Sequence, residues 1–438
     1  MVRRIIIVDQ DPLFRKVLAS FSSEFRKTLG SPIYSQFISR EYFPKEIKEF
    51  FVEVEKLYGN KKIDLRRKLM DCFSISRLFF KSTSFRKRVQ VILLGKVRVK
   101  DLKTFSLFLR FTCRREHLLF YIVFLMGILQ FPRVIFQKII FFGLKDHKNF
   151  IKKLRKLEKS VLVFATNGLD NFYFILNSSD KPKNLKYFAV VYSWDNISSK
   201  LLPSTKLDHL ALWNYRQKQE LLEIHKSEVI NTSVVGSQMA DRAYKFYSSK
   251  KYLEPSKSNK KSLILLGMFN RSDELADLIE LCKLMRGNSQ YWYETFTYRP
   301  HPISKSNLKK IDSRKLDQLG INVNYDRTVD LRQYGGVICF PTSIIFEVLV
   351  AESRAVIFAP EYLKYRVDPK AVTNYKHFNW FKELNPIPIV DEFQQLLHML
   401  KQPLPLQNKI ARQDLDLIFP KFNSTYNNRL KKQIINYI

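Results

Sequence analysis

Two rhythms of apolar and polar positions alternate along the chain. Apolar runs at residues 5–8 (IIIV), 89–94, 161–165 and 188–192, broken only by Gln90, predict strands buried on both faces. Between them, residues 13–29, 44–57 and 149–157 show the three-to-four spacing of amphipathic helices. Strands alternating with helices predict a mainly parallel sheet, whose binding sites lie at the carboxyl ends of the strands. The same rhythm continues with a strand at 210–213, a helix at 215–225 and a short strand ending at Gly236.

The pattern stops near Tyr247. The stretch YSSKKYLEPSKSNKKS is polar, contains a proline and has no periodicity, so it predicts a linker. A second α/β series follows, with strands at 263–266, 292–298, 336–340 and 356–359 and helices at 273–285 and 343–351. Residues 407–438 are again helical in pattern, with a break near Pro420. The expected organisation is a lobe over 1–246, a linker over 247–261, a second lobe over 262–405 and a helical tail over 406–438. The fold class is α/β, with two Rossmann-like lobes and a cleft between them.

Charge changes the picture of the first lobe. The 438 residues carry 75 Lys and Arg against 41 Asp and Glu, a formal +34, and +22 of this falls within residues 1–160. Basic clusters there flank the most apolar segments, 118–129 and 134–144, which read as a basic, apolar insertion over about 96–160. Neither run reaches the ~18 to 20 residues that cross a bilayer. Apolar side chains bordered by Lys and Arg suit an anionic membrane surface. Buried helices with solvated basic faces account for the same pattern, and a phosphate backbone would also meet the charge. No nucleic-acid-binding module or zinc spacing accompanies it, so nucleic acid is not the expected partner.

The four cysteines, Cys72, Cys113, Cys282 and Cys339, are widely spaced, which argues against a disulfide scaffold and fits a reducing compartment. The opening MVRRIIIVDQDP lacks the long apolar core of an export signal. Both features predict a cytoplasmic protein. Only 12 glycines occur against 36 phenylalanines, which excludes collagen-like and glycine-dense β-repeat architectures.

Four segments carry candidate chemistry. SWDNISSK (193–200) follows a strand, so Ser193, Trp194, Asp195, Asn196 and Lys200 are placed at its carboxyl end. Asp195 there can take a proton from an attacking hydroxyl, and its neighbours can bind sugar hydroxyls or phosphate. Taken alone, the segment is better explained by an Asx turn capped by its own side chains. Gly236, Ser237 and Gln238 form a tight turn after the next strand, where backbone N–H groups can approach a ligand. In TYRPHP (297–302), two prolines hold His301 at a strand end and Arg299 adds a permanent cation, a pairing suited to a diphosphate. Thr342 and Ser343 fall at the predicted start of the 343–351 helix, where N–H groups favour phosphate. Glu347 lies one turn further on, where a carboxylate can accept both hydroxyls of a ribose. An ordinary N-cap and a solvated Glu would show the same pattern.

In this order, SWDNISSK, the strand and helix around Trp213, VVGSQMAD, RPHP and PTSIIFE resemble bacterial GT-B glycosyltransferase-like proteins of surface-polysaccharide synthesis. That group is similar to the CDP-glycerol glycerophosphotransferases and the UDP-N-acetylglucosamine 2-epimerases. The resemblance spans about residues 161–358, under half of the chain. It implies a nucleotide-activated donor on the second lobe at Arg299, His301, Thr342, Ser343 and Glu347, and a glycan or lipid-linked acceptor on the first. It also implies catalysis without a bound metal or other cofactor; Asp195, from its place after the strand, is the candidate base. Two D-x-D strings, Asp9/Asp11 and Asp414/Asp416, do not form a convincing metal cluster. One departure is plain: where related proteins carry a glycine-containing loop after the first strand, this chain has Asp9, Gln10, Asp11 and Pro12. The functions left open are sugar transfer, CDP-polyol phosphotransfer, the less well supported epimerisation, and non-catalytic binding of membrane or RNA.

Overall fold

The computed structural model describes residues 4–8, 33–35, 43–57, 65–66, 69–70, 73, 122–123, 125–127, 129, 131–141, 145–157, 159–166, 171–178, 181–191, 194, 207–225, 231–249, 259–268, 271–301, 310–326, 329–361, 369–373 and 376–436. The expected helix at 13–29, the strand at 89–94 and the Asp9/Asp11 pair lie outside the described residues. The chain divides into two compact units, 1–238 together with 416–438, and 239–415.

In the first unit the described elements run β1 (Arg4–Val8), β2 (Ile33–Ser35), α1 (Lys45–Leu57), α2 (Arg133–Phe141), α3 (Lys145–Lys156), β3 (Ser160–Thr166), α4 (Asn171–Ser178), β4 (Leu185–Val191), β5 (His209–Leu212), α5 (Tyr215–His225) and β6 (Asn231–Val234). The strands form one sheet in the order β2-β1-β3-β4-β5-β6, every pairing parallel. The unbroken apolar runs have their physical reason here. Ile6 and Val8 of β1 face one core with Leu162 and Phe164, while Ile5 and Ile7 face another with Val161 and Val163. A sheet covered on both faces needs apolar side chains at consecutive positions, not alternate ones.

Aromatic packing dominates the first of these cores. Phe50 of α1, Phe150 of α3 and Phe172 of α4 meet with centroids 5.8–6.4 Å apart, and Phe164 of β3 joins Phe172 at 5.5 Å. The opposite face is closed by a distant segment. Tyr426, Leu430 and Ile434, spaced four apart on the helix Tyr426–Ile435, share the core of Ile5 and Ile7. Residues 416–438 therefore complete the first unit's core from the far end of the chain.

The second unit contains α6 (Gln238–Ser249, its first residue grouped with the first unit), β7 (Ser262–Leu266), α7 (Arg271–Met285), β8 (Thr295–Arg299), α8 (Lys310–Gln318), β9 (Ile321–Val323), a 3-10 turn (Leu331–Gln333), β10 (Gly336–Cys339), α9 (Ile345–Ala351) and β11 (Ala355–Phe358). It continues through α10 (Pro369–Val372), α11 (Lys376–Leu384), β12 (Ile389–Val390) and α12 (Phe393–Met399). Its sheet has the order β12-β11-β10-β7-β8-β9, again wholly parallel. Counted within the unit this is 6-5-4-1-2-3, the doubly wound Rossmann order, and the direction of winding reverses between β7 and β10. Each unit by itself is thus a parallel α/β unit. Helix α6 runs through Tyr247 to Ser249, across the point where the sequence pattern places the linker's start.

Candidate functional site

The strand reversal in the second unit gathers the candidate residues of its lobe. Gly267 follows β7, Arg299 ends β8, and the turn from Pro341 to Ile344 follows β10, all at the carboxyl edge. The Gly267 N–H donates to the Arg299 carbonyl at 2.8 Å, tying the two strand ends together. A β-carbon at Gly267 would overlap the Glu274 carboxylate and the Tyr298 hydroxyl, so only glycine fits. Glu274, fully buried on α7, accepts hydrogen bonds from the Tyr298 hydroxyl at 2.7 Å and the Met268 N–H at 2.8 Å. This carboxylate holds the β7 exit in place.

Arg299 and Glu347, 48 residues apart, meet in a two-pronged ion pair: Nη1 to Oε1 at 3.1 Å and Nη2 to Oε2 at 2.9 Å. Both side chains are largely withdrawn from water, at 7% and 16% exposure. A planar guanidinium has five N–H donors and a carboxylate has about four acceptor sites, so the pair leaves donors on one partner and lone pairs on the other. Pairing orients both groups without exhausting either. His301, two residues on, is half-buried, as are Thr342 and Ser343.

The helix after β10 starts at Ile345, two residues later than its pattern predicts. A turn precedes it: the Thr342 hydroxyl accepts from the Ile344 N–H at 3.4 Å, and the N–H groups of Ile345, Phe346 and Glu347 donate to the carbonyls of Thr342, Ser343 and Ile344. Threonine favours such local closure because its short side chain competes with the helical ladder. Thr342 and Ser343 thus sit in a turn that presents hydroxyls rather than at a helix start.

A second buried pair flanks this one. Asp330 and Arg332 bond through Nε to Oδ1 at 2.9 Å and Nη2 to Oδ2 at 2.8 Å, and Asp330 also caps the 3-10 turn. The Arg332 guanidinium lies 5.0 Å from the centre of the Tyr247 ring. The Tyr247 hydroxyl accepts from the Leu331 N–H at 3.3 Å. Burial, followed by the nearby Glu347 carboxylate, pushes the Tyr247 phenol well above its ordinary value, so it stays neutral. Tyr247, Asp330, Arg332 and Glu274 were not singled out by motif. For Tyr247 a signal was present, since Ala243 and Tyr247 stand four apart on α6 and both are buried; for the others the partners are set by folding.

In the first unit Ser193, Asp195, Asn196 and Lys200 lie outside the described residues. Trp194 is buried, and its carbonyl accepts from the Gln217 side-chain amide at 2.9 Å. The other end of that amide, Oε1, accepts from the Trp213 N–H at 2.7 Å, and the Trp213 indole donates to the Val191 carbonyl at 2.9 Å. Gln217 therefore fastens Trp194 to the β5–α5 turn. The signal was legible: Asn214 followed three residues later by Gln217 is a capping-box spacing, and the Asn214 side chain does accept from the Gln217 N–H at 2.8 Å.

Gly236 adopts φ +79°, a left-handed conformation suited to glycine, and Ser237 beside it is buried. Gln238, half-buried, opens α6. The C-terminal segment lies against this turn. The Arg429 Nε donates to the Val235 carbonyl at 2.6 Å, its guanidinium stacks 3.9 Å from the Phe422 ring, and a β-carbon on Gly236 would come within 2.7 Å of Nη2. The turn expected to meet a ligand is at least partly occupied by the chain's own arginine.

No protein family matches the chain, and no curated protein matches it. Among solved structures, the Methanocaldococcus jannaschii UDP-GlcNAc 2-epimerase in complex with UDP-GlcNAc and UDP is similar over 68% of this chain and 84% of its own, at 12% identity and a TM-score of 0.39. The α,α-trehalose-phosphate synthase (UDP-forming) from Burkholderia vietnamiensis is similar over 100% and 94%, at 10% identity and 0.37. TarM is similar over 66% of this chain and 54% of its own, at 13% identity and 0.34. These likenesses are too distant to bear on activity.

Proposed function

We propose that the chain is a glycosyltransferase of the GT-B kind, moving a sugar from a nucleotide-sugar donor to a cell-surface glycan or a lipid-linked acceptor. The observation that carries the reading is the Arg299–Glu347 pair at the carboxyl ends of the strands, beside the reversal of strand order. That is where doubly wound sheets bind nucleotides. The carboxylate's remaining lone pairs suit a ribose diol, and the remaining guanidinium donors, His301 and the hydroxyls of Thr342 and Ser343 suit a diphosphate.

In this reading the acceptor hydroxyl attacks the anomeric carbon and gives its proton to Asp195. The bond from that carbon to the diphosphate oxygen breaks, and the electron pair leaves with the nucleoside diphosphate. Arg299 and His301 stabilise the departing charge without a bound metal, a role for which loss of one donor costs about 10²-fold or more in rate.

Thermal shift against a panel of nucleotides and nucleotide sugars tests the donor site, because a ligand that binds the folded state raises its apparent stability. Stabilisation by one nucleoside diphosphate, lost in His301→Ala, is the expected result. No stabilisation by any member, or an unchanged shift in the variant, refutes the donor assignment. Released nucleoside diphosphate marks sugar transfer, whereas released monophosphate marks the CDP-polyol phosphotransferase alternative.

A further inference from the structure

We propose that the outer face of α2 is a docking surface for an anionic lipid bilayer. One face of this helix is committed to the core: Phe136 and Ile140 are buried, and the Phe136 ring stacks on Phe73 at 4.2 Å. Arg66 donates to the Ile140 carbonyl at 2.5 Å and fastens the helix end. The adjoining face is apolar too. Ile135 and Ile139, one turn apart, are 48% and 58% exposed, with exposed Lys138 between them.

Single exposed aliphatic residues are ordinary; their concentration is not. Eleven large hydrophobic side chains are exposed among the described residues, and four of them, Ile122, Leu129, Ile135 and Ile139, fall within residues 122–139. Charge chooses the occupant. Residues 117–145 contain no Asp or Glu, and α3, joined to α2 by three residues, exposes Lys148, Lys152, Arg155 and Lys156. An apolar face that carries Lys138, in a stretch without acidic residues that leads into a basic helix, matches an interface whose acyl boundary accepts isoleucine and whose headgroups accept lysine.

A second copy of this chain fits less well, because a two-fold contact through this face would bring Lys138 towards its own image in a molecule already at +34. Nucleic acid would use the cations but has no place for half-exposed isoleucines. Among the described residues no helix is long and apolar enough to cross a membrane, so the contact proposed is with the bilayer surface. This inference is independent of the donor site.

Flotation of the full chain with phosphatidylcholine vesicles and with mixed phosphatidylcholine–phosphatidylglycerol vesicles tests it. Binding to the anionic vesicles, weakened by added salt, is expected. Lys138→Ala should reduce that binding about fivefold, and the Ile135→Ser/Ile139→Ser double variant about tenfold or more, with an unchanged unfolding midpoint. The emission that Ile139→Trp adds to that of the four native tryptophans should shift to the blue and be quenched by brominated lipid. Equal or absent binding to both vesicle types, wild-type binding by the double variant, or an unquenched tryptophan would overturn the proposal. So would light scattering that shows the wild type to be a dimer and the double variant a monomer.

Discussion

Truncating Glu347 to alanine separates the two roles that its carboxylate holds. The side chain is the hydrogen-bonded counter-ion of Arg299, which is only 7% exposed, so Glu347→Ala strands a buried guanidinium. Removing one partner of a buried pair costs about 3–5 kcal/mol; at 16% exposure of the carboxylate, water can enter the vacated space, and about 3 kcal/mol is expected. Replacing both partners by apolar residues is close to neutral, so Arg299→Met/Glu347→Leu should recover stability to within about 1 kcal/mol of wild type. Donor binding should not recover, since both groups proposed to hold the nucleotide are gone. Urea unfolding supplies the stability cycle and titration calorimetry, with the nucleotide found by thermal shift, supplies the binding cycle. A single Glu347→Ala variant that loses less than about 1 kcal/mol would show that the pair does not carry a buried charge. A double variant that regains donor affinity would show that neither side chain is needed to hold the donor, and both the ribose and the diphosphate assignments of this pair would fall.

Three further outcomes follow from particular contacts. His209 is buried, stacks on Phe188 at 4.7 Å and shares a 2.7 Å hydrogen bond with Ser233, and burial lowers its pKa to about 4. The folded state therefore resists protonation. Its stabilising contribution is fully present above the unfolded value of 6.5 and is lost as pH falls towards 4, about 3 kcal/mol in all; His209→Gln should flatten that acid limb, and an identical limb in both proteins would refute the assignment. Gly236→Ala must adopt a positive φ and crowd Arg429, so a loss of about 1–3 kcal/mol in unfolding free energy is expected, and a neutral result would place the C-terminal helix elsewhere. Gln217→Leu leaves the Trp194 carbonyl and the Trp213 N–H without the amide that joins them, which should cost about 2 kcal/mol and lower turnover while donor affinity, read by calorimetry, stays at the wild-type value.

Strands were the most legible elements. The runs IIIV at β1 and LILL at β7 are apolar at every position because both faces of each sheet are covered. The expectation for α9 erred by two residues, because the Thr342 hydroxyl closes a turn that periodicity does not register. Tyr247 reads as the first residue of a polar stretch, yet it is the last buried position of a helix, and its Arg332 and Leu331 neighbours are more than eighty residues away in sequence. Motif order brought attention to Arg299 and Glu347 as separate ligands for phosphate and ribose. That they hold each other could not be read, since their meeting depends on β7 lying between β8 and β10.

By itself the sequence determined the alternation of strand and helix, the division of charge, and the residue types available at strand ends, all of which are local: they depend on periodicity and on what a side chain can donate or accept. Strand order, the union of Arg299 with Glu347, the fastening of Trp194 through Gln217 and the return of residues 416–438 to the first sheet were decided only in tertiary structure. Each joins groups separated by tens to hundreds of residues, and the free energy of burying their surfaces and pairing their charges exists only once the sheets have assembled.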